Sequence, residues 1–288
     1  MTKLGNVGVG GTNPVRIMGI LNTSSESFYK KSIKKSKQSI SNTIKQMETD
    51  GADFVDIGGM STAPYLSTLV SEKEEFTRIS QAIKIAQNIS NLPISVDTCR
   101  ASVAKSVLEL GVDIINDISG LKYDNKMIDV LSQYSPSVIL CAFDKKLVSG
   151  NQVTATKNLL RQSLTIAKKN NLSSNKIVLD PAIGFFRKSG KGKFFTKIRS
   201  DWYSRDLAIL QNINSIKQNY PVMISVSNKS VIGKILQKED PSDRLFGSIA
   251  AEVVSVLNGA DIIRTHNVSQ TKDAVLVASK LSRRNKGL

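Results

Sequence analysis

His266 is the only histidine of the chain, and Arg264 stands two residues before it in the segment DIIRTHN. In an extended segment, residues two apart project to the same side, so the two side chains can aim at one spot. A guanidinium and an imidazole aimed together form an anion site, because arginine meets phosphate oxygens with a fork of parallel N–H donors. The opposite chemistry is offered by Asp97, Asn116 and Asp180, each in a short β-branched run. Two carboxylates and an amide that converge can accept from a ring carrying an amino group beside an N–H, since an ionised aspartate accepts two parallel donors. Helix capping is a competing use for Asp97, because a helical pattern starts close behind it. Asp180 instead precedes Pro181 and a long loop, which argues against capping there. Asn22, Ser61, Thr62, Asp117 and Lys229 stand at or just beyond the ends of other such runs.

Bringing these residues together requires a scaffold that collects strand ends. The runs at 16–22, 53–59, 93–98, 114–119, 137–143, 176–182, 221–227 and 261–267 read as strands. Each is followed by an amphipathic helical pattern, at 32–50, 71–90, 101–110, 125–134, 153–171, 201–219, 242–259 and 269–283. Gly51, Gly111 and Gly259 fall just after a helical pattern and just before a strand, where a helix C-terminus needs positive φ. Pro93 and Pro221 open strands, where a missing N–H is tolerated. Strict βα alternation demands parallel strands, and eight units close naturally into a (β/α)8 TIM barrel. The competing doubly wound sheet would need a glycine fingerprint in the first βα turn; LNTSSESF has none. The expected architecture is α/β, one domain over 1–288 with the barrel proper at about 16–284. In a barrel the groups that do chemistry come from the C-terminal ends of the strands and the loops that follow.

Bulk properties restrict the partners. The chain has 288 residues, 40% hydrophobic and 22% charged, with no apolar run long enough to span a membrane. Its start, MTKLGNVGVGGTNP, shows neither the basic nor the apolar region of a secretory leader, and Cys99 and Cys141 have no metal-ligand spacing, so cytoplasm is the expected compartment. A formal charge of +16 calls for anionic partners or a solvated basic surface. Much of the excess lies on outer helix faces such as KKSIKKSK at 30–37, with few aromatics to stack on bases, which favours the solvated surface over nucleic acid. Small-molecule substrates are expected, with no nucleic-acid or membrane partner, for a chain acting alone or as a homodimer. Two long loops break the regular spacing: MSTAPYLSTLV at 60–70 and the basic FRKSGKGKFFTKIRS at 186–200. GFFRKSGKG looks like a phosphate-binding P-loop but has five residues between Gly184 and Gly190, and Gly192 where Ser or Thr should hold magnesium, so ATP hydrolysis is excluded.

The segments MGILNTSSESF, GADFVDIGGMSTAP, PISVDT, GVDIINDISG, IVLDPAIGF, SVSNKSVIG and IIRTHNV, in this order, resemble the dihydropteroate synthase family from about residue 16 to the C-terminal helix. The resemblance implies the same (β/α)8 fold and a transferase. An arylamine nitrogen attacks the methylene carbon of 6-hydroxymethyl-7,8-dihydropterin diphosphate and diphosphate leaves, a step of folate or methanopterin-type cofactor synthesis. By the same resemblance Asp97, Asn116, Asp180 and Lys229 hold the pterin. Arg264, His266 and Asn22 hold the diphosphate, with magnesium beside Asn22, and Asn22, Lys229, Arg264 and His266 form the catalytic set. Ser61, Thr62, Pro64 and Asn228 fall at the arylamine end. Departures from the family pattern cluster there: Met60 and Ala63 replace a glutamate and an arginine, Asn228 replaces an arginine, and Ser25 and Glu26 replace a proline and an aspartate. The long sixth loop is similar to that of archaeal members that couple a ribosyl-phosphate arylamine, and Arg187, Lys188, Lys191, Lys193, Lys197 and Arg199 could meet its phosphate. A pterin-binding methyltransferase domain and a non-catalytic pterin-binding paralogue are the competing readings; the first has no use for Arg264 and His266, and the second draws on the altered loops.

Overall fold

A computed structural model describes residues 1–24, 36–65 and 69–282; Ser25 and Glu26 of the first loop lie outside them. The chain opens with two short strands, β1 (Thr2–Leu4) and β2 (Val7–Val9), then runs β3 (Arg16–Asn22), α1 (Lys37–Thr49), β4 (Phe54–Gly58) and α2 (Glu72–Ile89). Next come β5 (Ile94–Asp97), α3 (Ala101–Glu109), β6 (Ile114–Asp117), α4 (Met127–Tyr134), β7 (Ser137–Cys141) and α5 (Gln152–Lys169). After β8 (Ile177–Asp180) the sixth loop forms its own strands, β9 (Phe186–Arg187) and β10 (Thr196–Lys197), before α6 (Trp202–Gln211) and α7 (Ile213–Ile216). The chain ends with β11 (Met223–Ile224), α8 (Ser230–Leu236), α9 (Leu245–Leu257), β12 (Ile262–Thr265) and α10 (Val268–Leu281).

Eight of these strands form one parallel sheet in the order β11-β12-β3-β4-β5-β6-β7-β8. A parallel bridge between Leu179 and Val222 joins its two edges, so the sheet closes into the expected barrel. The strands read as continuous apolar runs because both faces are covered, one by the barrel interior and one by the helices. Side chains of Ser36, Ser71, Asn151 and Asp201 cap the helices that follow the first, second, fifth and sixth loops. Gly51, Gly111 and Gly259 carry the positive φ expected of them.

Three features differ from the sequence reading. Strand seven is regular over Met223–Ile224 alone, shorter than 221–227. Its loop leads first into the additional helix α8, and the expected helix follows as α9. The N-terminal segment, given no role in the sequence reading, pairs β1 with β2 as an antiparallel hairpin. Leu4 and Val9 of the hairpin pack on Met18, Phe54, Ile114, Ile139, Val178, Met223 and Ile262, residues lying toward the strand starts. Gly5 N–H donates to the Ser137 hydroxyl (2.9 Å), which in turn donates to the Lys3 carbonyl, and this fastens the hairpin beneath β7. The bottom of the barrel is therefore plugged, and access is from the opposite end. Leu4 is fully buried, so Leu4→Ala is expected to cost about 2–5 kcal/mol of stability. Denaturant unfolding checks this; a loss below about 1 kcal/mol would mean the plug is not part of the core.

Candidate active site

The open end of the barrel gathers most of the polar residues singled out above. Asn22, Ser61, Thr62, Pro64, Asp97, Lys229, Arg264 and His266 line one open cavity, together with Met60, Ala63, Tyr65, Phe185, Ser225, Ser227 and Ser230. Asn116 and Asp180 are buried at the ends of β6 and β8.

A carboxylate absent from the sequence reading organises the floor. Asp56 lies within β4, fully buried; its Oδ2 accepts from Arg264 Nε at 2.6 Å and from Asn116 Nδ2 at 3.1 Å. Arg264 Nη2 also donates to Asp97 Oδ2 at 3.2 Å. The expected division of the mouth into an acceptor part and a donor part therefore fails for Arg264, which two carboxylates hold among the acceptors. Asp97 does not cap α3: Asp124 accepts from Ala101 N–H at 2.8 Å in that place. Its Oδ1 has no hydrogen-bond partner among the described residues and belongs to a cavity-lining side chain, as a ligand acceptor must.

Asp180 Oδ1 accepts from Ala182 N–H at 2.7 Å, closing a tight turn in which Ala182 takes φ 58°. The carbonyls of Pro181 and Ala182 are held from behind by Arg205, a fully buried guanidinium paired with Asp206 at 2.9 Å. Lys229 Nζ donates to the Ile183 carbonyl at 2.7 Å and lies over the Phe185 ring. His266 Nδ1 is 3.2 Å from the Ser227 hydroxyl.

Burial dominates the electrostatics. It pushes the Asp97 carboxyl up to about 7, opposed by Arg264 and reinforced by Asp56. It raises Asp180, with Lys229 opposing. Lys229 is brought down to about 8 by burial, with Asp180 opposing. His266 is driven down to about 3 by burial and by the charges of Arg264 and Lys229. The imidazole is therefore neutral at physiological pH and offers hydrogen bonds beside the charge of Arg264.

Asn228 requires correction. It takes φ 57°, a left-handed conformation that asparagine tolerates. Its side chain turns to the Ser248 hydroxyl (3.3 Å), its carbonyl accepts from Arg244, and it is buried outside the cavity lining. It therefore does not share the lining that Ser61, Thr62 and Pro64 form. Of the six basic residues of the sixth loop, Lys188, Lys191, Lys193, Lys197 and Arg199 are exposed, whereas Arg187 is buried.

Residues 18–266 match the sequence profile of the family described as pterin binding enzyme. The chain is 31% identical to the dihydropteroate synthase of Synechocystis over 93% of its own length and 90% of that protein's. The chain belongs to the dihydropteroate synthase family of pterin-binding enzymes. The Bacillus subtilis dihydropteroate synthase is 32% identical over 88% of this pterin-binding enzyme and 84% of its own length. The crystal structure of a Clostridium difficile dihydropteroate synthase determined in the presence of pteroic acid superimposes with a TM-score of 0.82 at 32% identity, covering 98% of this chain and 100% of that one. A Coxiella burnetii dihydropteroate synthase in complex with pteroic acid gives 0.82 at 31% identity over 96% and 95% of the two chains. This pterin-binding enzyme is thus a transferase, and the cavity at its barrel mouth is its candidate active site. Among the described residues, no three His, Cys, Asp or Glu side chains converge as a metal cage, and no helix is long and apolar enough to cross a membrane.

Proposed function

We propose that the chain joins 6-hydroxymethyl-7,8-dihydropterin diphosphate to an arylamine, releasing diphosphate, and that residues 1–288 act as one pterin-binding unit in the cytoplasm. One observation carries the reading: an acceptor set, cavity-lining Asp97 with buried Asn116 and Asp180, adjoins Arg264, His266 and Asn22 at one barrel mouth. The acceptors and Lys229 hold the pterin ring; the others meet its diphosphate. The amine lone pair forms the new C–N bond as the methylene C–O bond breaks, and the amine then gives up a proton. Diphosphate carries away the bonding electrons, so the protein must neutralise developing charge and align the partners, without a protein nucleophile. Arg264 supplies the charge and His266 a neutral hydrogen bond.

Asn22 fits magnesium as one hard oxygen ligand. Among the described residues no carboxylate cage stands beside it, and the ion would be held jointly by Asn22, the diphosphate and water, the usual manner for magnesium. Its chemistry there would be to spread the leaving-group charge.

At the second-substrate end, Ala63 provides no cation and Ser61, Thr62 and Pro64 line the wall. A ribosyl-phosphate arylamine is preferred over p-aminobenzoate in this reading, its phosphate drawing on the basic sixth loop. Exposed apolar residues on α9 and α10, Phe246, Leu257, Val277 and Leu281 among them, favour a homodimer. Mixing purified protein with dihydropterin diphosphate, magnesium and each amine should release diphosphate, faster with the phosphorylated amine. No release with any amine would reject the transferase reading, and equal kcat/KM for the two amines would reject the preference.

A further inference from the structure

The sixth loop bridges the two loops in which the family cations are missing. At its tip, Lys191 N–H and Gly192 N–H both donate to the Pro64 carbonyl of the second loop, at 2.9 and 3.0 Å. Gly190 makes this approach possible: a Cβ there would stand 2.5 Å from the Pro64 oxygen and 2.9 Å from the Phe195 ring. The descending part is anchored by buried Phe194 and Phe195 and by the pairing of β10 with β9. The loop is thus a built strap that meets the cavity wall through its backbone, with its lysine side chains exposed.

At its base the loop sends one cation inward. Arg187 is 8% exposed, and its Nη2 donates to the Ser230 hydroxyl at 2.6 Å. Ser230 follows Lys229 and lines the cavity. Because its oxygen accepts from Arg187, the hydroxyl proton of Ser230 is left to donate elsewhere. The guanidinium stacks 4.1 Å from the Trp202 ring, which fixes its plane. Asp206 is 3.9 Å away and is already paired with Arg205 at 2.9 Å and bonded by Gly184 N–H, so two guanidiniums face one carboxylate. Tyr65, which also lines the cavity, feels the field of Arg244 and, after it, that of Arg187, and both oppose the effect of burial on its phenol.

We propose that Arg187, acting through Ser230, is the specificity-determining cation for the anionic group of the arylamine, replacing the positive charge absent at Ala63 and Asn228. This rests on the transferase reading and deepens it. The anion, a carboxylate or a phosphate, accepts the Ser230 proton while the buried charge behind that hydroxyl holds it. Arg187 is then a positioning residue, and the Gly190–Pro64 clasp keeps the facing wall in place.

The test compares kcat/KM for three amines: aniline, p-aminobenzoate and the ribosyl-phosphate arylamine. In Arg187→Met, the ratio of either anionic amine to aniline should fall about tenfold or more, the scale of losing a charge-assisted contact. Arg187→Lys should restore part of that ratio. The larger loss identifies which anion the site is built for. Ser230→Ala, which leaves the Arg187–Asp206–Trp202 cluster in place, should lower the same ratio, and it keeps the test open if Arg187→Met does not fold. An unchanged ratio in Arg187→Met, or in Ser230→Ala where Arg187→Met does not fold, with diphosphate still released, overturns the proposal alone. No release from the unaltered enzyme with any amine overturns the transferase reading, and the proposal with it.

Discussion

Asp56→Ala is expected to lower kcat/KM about a thousandfold or more. The fully buried carboxylate binds Arg264 at 2.6 Å and Asn116 at 3.1 Å through one oxygen, so a single side chain aims both a charge and an amide at the mouth. Breaking a buried ion pair by removing one partner costs about 3–5 kcal/mol, and here the Asn116 amide loses its acceptor as well, while Asp97 compensates Arg264 only at the longer distance of 3.2 Å. Arg264 would be left with Asp97 and would swing toward it, closing the acceptor the substrate needs. If the whole loss appears in the transition state, about 4 kcal/mol corresponds to roughly three powers of ten in rate. Asp56→Asn keeps the shape and an acceptor for Asn116 and removes the charge, so its loss should be smaller. Kinetics with calorimetric pterin binding separate the outcomes. Activity of Asp56→Ala within about fivefold of the parent would show that Arg264 and Asn116 position themselves without it.

That Asp56 had to be found in the structure shows where sequence reasoning stops. Strand ends were legible because polar residues interrupt β-branched runs at regular intervals, and Asn22, Asp97, Arg264 and His266 stand at the mouth as that pattern required. Asp56 lies within its run, in FVDIG, where a polar residue carries no positional signal until the opposite strands are known. The same limit applies to Arg264. Alternation gives the side to which a residue points, but its pairing with residues 208 and 167 positions earlier is set by barrel closure. Asn228 lies off the cavity lining for a local reason: it sits in a left-handed turn with its side chain at Ser248, and one sequence shows only that asparagine tolerates such a turn. The N-terminal hairpin was illegible because three-residue strands are too short to display periodicity. Charge counting made the exposed lysines of the sixth loop as prominent as Arg187, and burial alone separates them.

The pH dependence of kcat/KM follows from the floor of the site and should be a narrow bell. In the proposed roles, pterin binding needs Asp97 ionised, to accept from the ring, and Lys229 protonated, to donate. An ordinary aspartate stays ionised down to about pH 4 and an ordinary lysine stays charged to about pH 10, which would leave a broad plateau. Burial moves both inward, Asp97 up to about 7 and Lys229 down to about 8. Activity is therefore lost as pH falls through about 7, where Asp97 takes up its proton, and lost again as pH rises through about 8, where Lys229 gives one up. Because kcat/KM reports the free enzyme, these limbs belong to the empty site. The sole histidine is the customary suspect for a limb near neutrality, but His266 titrates at about 3 and is neutral throughout this range. His266→Gln should keep both limbs where they are, whatever activity remains. Asp56→Asn should carry the acid limb downward, since the like charge that raises Asp97 is gone and Arg264 pairs with Asp97 alone. Lys229→Arg should remove the basic limb, as a guanidinium keeps its proton beyond pH 10. A profile flat from about pH 5 to 9, or an acid limb that disappears in His266→Gln, would show that Asp97 does not control entry of the pterin.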